Sequence, residues 1–166
     1  MRKNNYIIFD IETTGLNPTS SRITCICAKS DSGSSYNGCH TNERGLIRDF
    51  LKWIKKEEVS LLISANGKDF DIPFILMRAY IRKIESKEVL FINKFKHFDI
   101  INDITDKKIS LNNLAKIYGF GLKAGDGKEA IKLFENSKFD KLIDYCMNDV
   151  ELTEKIYLKY QEIQNG

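Results

Sequence analysis

Long apolar runs are missing from this chain. Uninterrupted stretches such as Tyr6–Phe9 and Val89–Ile92 are short, whereas a membrane helix needs about 18 apolar residues or more. Behind Arg2 and Lys3 the first apolar stretch meets Asp10 too soon for a signal peptide, so the expected location is the cytoplasm. Cysteine is limited to Cys25, Cys27, Cys39 and Cys146, with no C-x-x-C pair, and His40 and His97 are not spaced as zinc ligands. A disulfide scaffold and a zinc module are both poor matches, and the thiols read as free, buried and reduced. No internal repeat and no long linker interrupt the chain, and its Ser/Gly-rich stretch, Ser30–Ser35, suits a hairpin turn. What is present is ordinary for a soluble globular chain: 166 residues, 42% hydrophobic and 30% charged. That length is enough to bury a core without staples, and residues 1–166 read as one domain.

Asn5–Glu12 has the pattern of a strand that is apolar on both faces, with Ile7, Phe9 and Ile11 against Tyr6 and Ile8. Arg22–Ala28 alternates Ile23, Cys25 and Cys27 against Thr24, Ile26 and Ala28, and the turn at Asp31–Gly33 returns a third strand through Tyr36. Asn42 can cap a helix carrying Leu46, Ile47, Phe50, Leu51 and Ile54 at helical spacing. Val59–Ser64 reads as a buried parallel strand, broken by Asn66-Gly67. Pro73 suits the first turn of a helix continuing over Phe74–Lys83. Phe95–Ile100 is expected as a fifth strand, Ser110 as the cap of a helix ending at Gly119, and Ser137 as the start of a last helix reaching about Tyr160. The order is α/β, with a mixed sheet that opens on an antiparallel meander.

Four acids stand where the pattern does not call for them. Asp10 and Glu12 end the first strand two residues apart, so their carboxylates leave the same face. Like charges so placed call for a cation between them, unless both are simply solvated. Asp149 lies in the middle of an apolar stripe formed by Leu142, Cys146, Thr153 and Ile156, with Tyr145 one turn earlier. A carboxylate buried there costs several kcal/mol, on the order of the unpaired-charge penalty, without a cation or other partner. Asp71 follows a predicted parallel strand near a helix start, a position that serves either a ligand site or an N-cap.

Phe9-Asp10-Ile11-Glu12-Thr13-Thr14-Gly15-Leu16 resembles the first motif of the DEDD 3′–5′ exonuclease superfamily. Asn66-Gly67-Lys68-Asp69-Phe70-Asp71-Ile72-Pro73-Phe74 resembles the second, in the form found in proofreading domains of family-B DNA polymerases. Tyr145-Cys146-Met147-Asn148-Asp149-Val150 resembles the third, as Tyr-x-x-x-Asp. The His branch of the superfamily would place its histidine at position 144, which is Asp144, so the chain is similar to the Tyr (DEDDy) branch. Motifs in order from Phe9 to Val150 span nearly the whole chain.

The resemblance implies a ribonuclease H-like fold, with a mixed five-stranded sheet flanked by helices. It implies Asp10, Glu12 and Asp149 as direct metal ligands and Asp71 as support for a second ion through water. Two ions suit in-line attack on a phosphodiester, and all-oxygen ligands select Mg²⁺ or Mn²⁺. Tyr145 would orient the attacking water, against the alternative of a core aromatic. Thr13 and Asn66 match positions that hold the terminal nucleotide. Phe70 could wedge or stack against a base, or else packs in the core. Ser110 and Leu111 resemble a Ser-Leu element that contacts single strands, or else Ser110 is a plain cap, and Lys123 aligns loosely with a lysine near the scissile phosphate.

The expected activity is metal-dependent 3′–5′ hydrolysis at the 3′ end of single-stranded or frayed DNA, releasing nucleoside monophosphates. RNA 3′-end trimming, a non-catalytic module that binds nucleic-acid ends, and a calcium-stabilised structural protein are the alternatives. The implied partners are a single-stranded nucleic acid and possible polymerase or repair complexes. The chain is mildly basic, with 26 Lys and Arg against 23 Asp and Glu. Setting the candidate acids aside enlarges that surplus, which can face phosphates. The lysines, among them Lys52, Lys55, Lys68, Lys94, Lys96, Lys107, Lys108 and Lys128, are scattered, and most read as solvated.

Overall fold

The strand β1, Tyr6–Thr13, is apolar on both faces and so takes the centre of the sheet. The structure is a computed structural model that describes residues 5–106, 109–121 and 125–166. β1 pairs antiparallel with β2, Ile23–Ser30, which pairs antiparallel with β3, Ser35–Cys39. Gly33, at φ 91°, makes the turn between them. On its other side β1 pairs in parallel with β4, Leu61–Ser64, which pairs in parallel with β5, Lys96–Asp99. The order β3-β2-β1-β4-β5 is the expected mixed five-stranded sheet with an antiparallel meander.

Helices cover both faces. Against one lie α1, Glu43–Lys56, and α2, Asp71–Ile81, whose Leu46, Phe50, Phe74 and Ile75 pack on Ile7, Phe9 and Ile11 of β1. Asn42 caps α1 as its sequence predicts, accepting the Gly45 N–H at 3.1 Å. Against the other face lies the long helix α7, Phe139–Asn165, which packs Leu142, Cys146, Val150 and Ile156 with Tyr6 and Ile8. Between α2 and α7 in the chain come α3, Ser86–Val89, a 3₁₀ turn over Leu90–Lys94, α4, Ile100–Thr105, α5, Leu111–Ile117, and α6, Gly127–Glu135. Among the described residues no helix is long and apolar enough to cross a membrane.

Three sequence expectations need correction. Ser137 does not open α7. It closes α6 in a left-handed conformation at φ 55°, with its N–H on Phe134 O and the Lys138 N–H on Leu133 O. That is a Schellman closure, and α7 starts after it and runs past Tyr160 to Asn165. Ile23 does not share a face with Cys25 and Cys27. The pairing shifts between Glu12 and Thr13, leaving Thr24 as an extra residue whose hydroxyl donates to Glu12 O, and Ile23 turns to the side of Ile26 and Ala28. The fifth strand ends at Asp99 rather than Ile100, because Asp99 caps α4 with its side chain.

Candidate functional site

The acids gather where the parallel strands end, the place at which open α/β sheets bind ligands. Asp10 and Glu12 continue the Tyr6–Ile8 face of β1 and meet α7, and one oxygen of each lies within 4.8 Å of the other and of Cys146 Sγ. Cys146 is held against Asp10 by both its backbone and its side chain, with Sγ 3.5 Å from Asp10 O and 3.5 Å from Oδ2. Burial pushes the Cys146 thiol up, so it stands as a neutral S–H donor to that carboxylate.

Asp149 is 4% exposed in the apolar stripe of α7, as the spacing predicts, and opens with Asp10 on one cavity of about 350 Å³. Asp144 and Glu151, its neighbours on the polar side of the helix, are exposed.

Asp71 enters from the opposite layer. It is the first residue of α2 and not its cap; Phe70 is the cap residue and makes no side-chain cap bond. β4 pairs with β1 only through Ile8, and beyond that pairing Asp71 Oδ1 accepts the Ile11 N–H at 3.2 Å. Asp71 is 3% exposed. Burial, first, and the nearby charges of Asp99 and Asp149 raise its carboxyl to about 7, against the backbone N–H groups that favour ionisation. A buried carboxyl strained in this way beside other acids is what a cation relieves, and the hard oxygen donors of Asp10, Glu12, Asp149 and Asp71 suit Mg²⁺ or Mn²⁺.

The residues expected to touch substrate line clefts around these acids. Asn66, Ser110 and Leu111 border the cavity of Asp10 and Asp149. Thr13 and Phe70 border a second, of about 550 Å³, with Glu12, Gly15, Leu16, Asp126 and Lys128. The Thr13 hydroxyl donates to Gly15 O at 2.8 Å, which tightens the turn leaving β1. Phe70 is half-buried, with its ring 5.3 Å from that of Phe74, so it serves both the core and the cleft. Ser110 caps α5 by accepting the Asn113 N–H at 3.3 Å while it borders its cavity. Tyr145, buried, opens on a third cavity of about 460 Å³ with Gly125, Lys141 and Asn148. Lys123 lies outside the described residues, as do Lys107 and Lys108. Lys128 and Lys141 border these clefts, whereas Lys52 and Lys68 pair with Asp49 and Asp103.

Sequence reading assigned Asp99 no role. It is fully buried and accepts the N–H groups of Asn66 and Lys68 at 2.8 and 2.9 Å and those of Ile101 and Asn102 at 3.0 and 3.3 Å. It therefore holds the loop that presents Asn66 and leads into Asp71. Asn66 itself adopts φ 67°, and a Cβ on Gly67 would sit 2.3 Å from Ser64 Oγ, so this loop needs its glycine. Asp126 was also missed, and Lys128 was read only as one of the scattered lysines. Asp126 caps α6, accepting the Lys128 and Glu129 N–H groups, and the run Asp126-Gly127-Lys128-Glu129 carries the capping-box spacing that would have revealed the helix.

Fold and site define an α/β domain whose carboxylates, drawn from a central strand and from helices on both faces, meet at the ends of its parallel strands. The model of the RNase H superfamily matches residues 7–161, and the chain belongs to that superfamily. It is 31% identical over 138 residues to DNA polymerase 1 of Sulfurisphaera ohwakuensis, a match covering 69% of this chain and 15% of that protein. A family B DNA polymerase from the archaeon Pyrobaculum calidifontis shares its fold, with a TM-score of 0.76 and 18% identity over 95% of this chain and 24% of that one. The chain thus spans a small part of the polymerases it resembles.

Proposed function

We propose that this chain is a metal-dependent 3′–5′ exonuclease of the DEDDy type, a single domain acting on single-stranded or frayed DNA and releasing nucleoside monophosphates. The observation that carries the reading is the approach of Asp10 and Glu12, with carboxylate oxygens within 4.8 Å of each other, at a point where Asp10 shares a cavity with buried Asp149. The relationship to DNA polymerases supports nuclease chemistry and favours DNA over RNA.

Asp10, Glu12 and Asp149 would hold two Mg²⁺ or Mn²⁺ ions, with Asp71 supporting the second. When bound, these ions supply Lewis acidity at the phosphoryl group and charge to balance the leaving oxygen. The chain's own residues then have distinct tasks. The Tyr145 hydroxyl orients the attacking water. Thr13, Asn66, Ser110 and Leu111 position the terminal nucleotide, and the Phe70 ring offers a face to a base. Lys123, Lys128 and Lys141 offset phosphate charge. A polymerase or repair complex is the partner class that fits such an activity.

The test is a paired digestion of 5′-labelled single-stranded DNA and RNA of one sequence, with Mg²⁺ or Mn²⁺, beside Asp10→Ala. A ladder shortening from the 3′ end of DNA, absent in the variant and stopped by EDTA, is expected. A ladder on RNA alone would reassign the substrate, and tight strand binding with no ladder on either would leave a binding module.

A further inference from the structure

Three sulfurs meet behind the carboxylate site. Cys25 and Cys27 point from β2 toward α7, where Cys146 faces them, and all three are buried. Their Sγ atoms lie within 4.8 Å of one another. Zinc binds sulfur at about 2.3 Å, and tetrahedral geometry then sets two sulfur ligands about 3.8 Å apart. The Cys25 and Cys27 sulfurs stand 3.8 Å apart. Cys39, half-buried and paired opposite Cys25 on β3, supplies a further sulfur on the more open side of the group. No C-x-x-C spacing announces this arrangement, because two of its members come from alternate residues of one strand and the third from a distant helix.

We infer that Cys25, Cys27 and Cys146 form a binding site for a soft cation, zinc(II), separate from the hard-oxygen site of Asp10, Glu12 and Asp149. Thiolate sulfur prefers soft or borderline cations and carboxylate oxygen prefers Mg²⁺ and Mn²⁺, so the two sites sort cations by chemistry. Each thiol that ligates gives its proton to the solvent, so occupation of the three-sulfur set releases up to three protons per zinc bound. Cys146 joins the two sites, since its Sγ is also 3.5 Å from Asp10 Oδ2. Zinc that draws this sulfur toward Cys25 and Cys27 removes the S–H donor from Asp10. This inference goes beyond the exonuclease reading and stands whether or not the chain cleaves nucleic acid.

The experiment uses the full chain, stripped of metal, reduced and held under argon, and titrated with Cd²⁺ as a spectroscopic probe of thiolate ligation. A thiolate-to-cadmium charge-transfer band in the ultraviolet is expected to saturate at one equivalent, with release of protons to a pH indicator, and an excess of Zn²⁺ added beforehand is expected to compete for the site. Cys27→Ala, checked for folding by its melting curve, is expected to lose most of the band and to weaken zinc binding more than about tenfold. Asp10→Asn is expected to keep both the band and its stoichiometry. Absence of the band in the unaltered protein overturns the inference without reference to any variant. So does a band that survives in folded Cys27→Ala, or one lost in Asp10→Asn, which would make the Asp10 carboxylate a required ligand rather than part of a separate site.

Discussion

The Asp99 carboxylate accepts the Asn66 N–H at 2.8 Å and thereby ties the end of β5 to the loop that leaves β4. The same carboxylate caps α4. One buried acid therefore fixes two neighbouring strand ends on the floor of the site, beneath a residue with φ at 67° that is expected to meet the substrate. Asp99→Ala leaves the Asn66, Lys68 and Ile101 N–H groups without this acceptor. A hydrogen bond to a charged group is worth about 1.5–3 kcal/mol, so a loss of a few kcal/mol is expected in urea unfolding. In the folded fraction KM for a DNA strand is expected to rise, since Asn66 is released while Asp10 and Glu12 stay on β1.

Glu43, at the first turn of α1, organises the layer behind the same site. It receives Arg78 at 2.8 and 2.7 Å, Arg82, and the Ile23 N–H at 2.7 Å, while Arg78 also reaches Pro18 O at 3.0 Å. Burial opposes its ionisation, but the Arg78 guanidinium, the Ile23 N–H and Arg82 outweigh that and hold its carboxyl below the usual range. Removing one partner of a buried pair strands the other charge at a cost of about 3–5 kcal/mol. Glu43→Ala is expected to lose on that order in denaturant unfolding. Glu43→Leu combined with Arg78→Met is expected to be more stable than either single change, as a double-mutant cycle measures.

Catalytic roles predict a different split. Asp10→Ala is expected to abolish hydrolysis with the melting curve preserved, because Asp10 is only half-buried at the cleft and its loss leaves the β1 ladder intact. Tyr145→Phe keeps the ring against Gly125, where an added Cβ would lie 3.1 Å from Tyr145 Cε2, and removes only the hydroxyl. Turnover is expected to fall by about 10²–10⁴-fold, as for loss of a group acting in proton transfer or water positioning, with little change in strand affinity. Unfolding of Tyr145→Phe would instead make the ring and its hydroxyl a core element.

How much of this was legible in the sequence depended on the distance over which each signal acts. The two-faced pattern of β1, the Asn42 cap and the displacement of Asp149 into an apolar stripe are local, and all three stand in the structure. The Schellman closure at Ser137 is local too, but a serine at a left-handed position looks like a cap for the next helix. The bulge at Thr24 turns on pairing between strands, which alternation within one strand does not encode. Partnerships such as Asp99 with Asn66, Glu43 with Arg78, and Cys146 with Cys25 and Cys27 join separate elements and leave no spacing to read.

His97 gives stability an acid limit. Its ring is held by burial, its Nε2 lies 2.7 Å from Ser64 Oγ, and burial lowers its pKa from 6.5 to about 4. The unfolded chain therefore binds more protons than the folded one between those values, and stability rises with pH across that interval. This contribution is complete above about 6.5 and is lost as the pH falls toward 4. His97→Gln can keep a hydrogen bond to Ser64 without titrating. Urea unfolding at a series of pH values is expected to show a shallower slope for this variant between pH 4 and 6.5 than for the unaltered chain.

Asp71 acts in the opposite sense. Its carboxyl is raised from 3.8 to about 7, by burial first and then by the charges of Asp99 and Asp149. Without a cation the folded chain binds more protons than the unfolded one across that range, so this group's contribution to stability falls as the pH rises from about 4 to 7. A divalent cation reverses the balance, because it favours the ionised carboxyl that burial opposes. Mn²⁺ affinity, read by calorimetry on the protein without nucleic acid, is therefore expected to climb with pH up to about 7 and then level off, with a proton released per ion on the acid side. In Asp71→Asn the climb is expected to flatten and the proton release to disappear. An unchanged pH profile in that variant would place the titrating group elsewhere and remove Asp71 from the ion's surroundings.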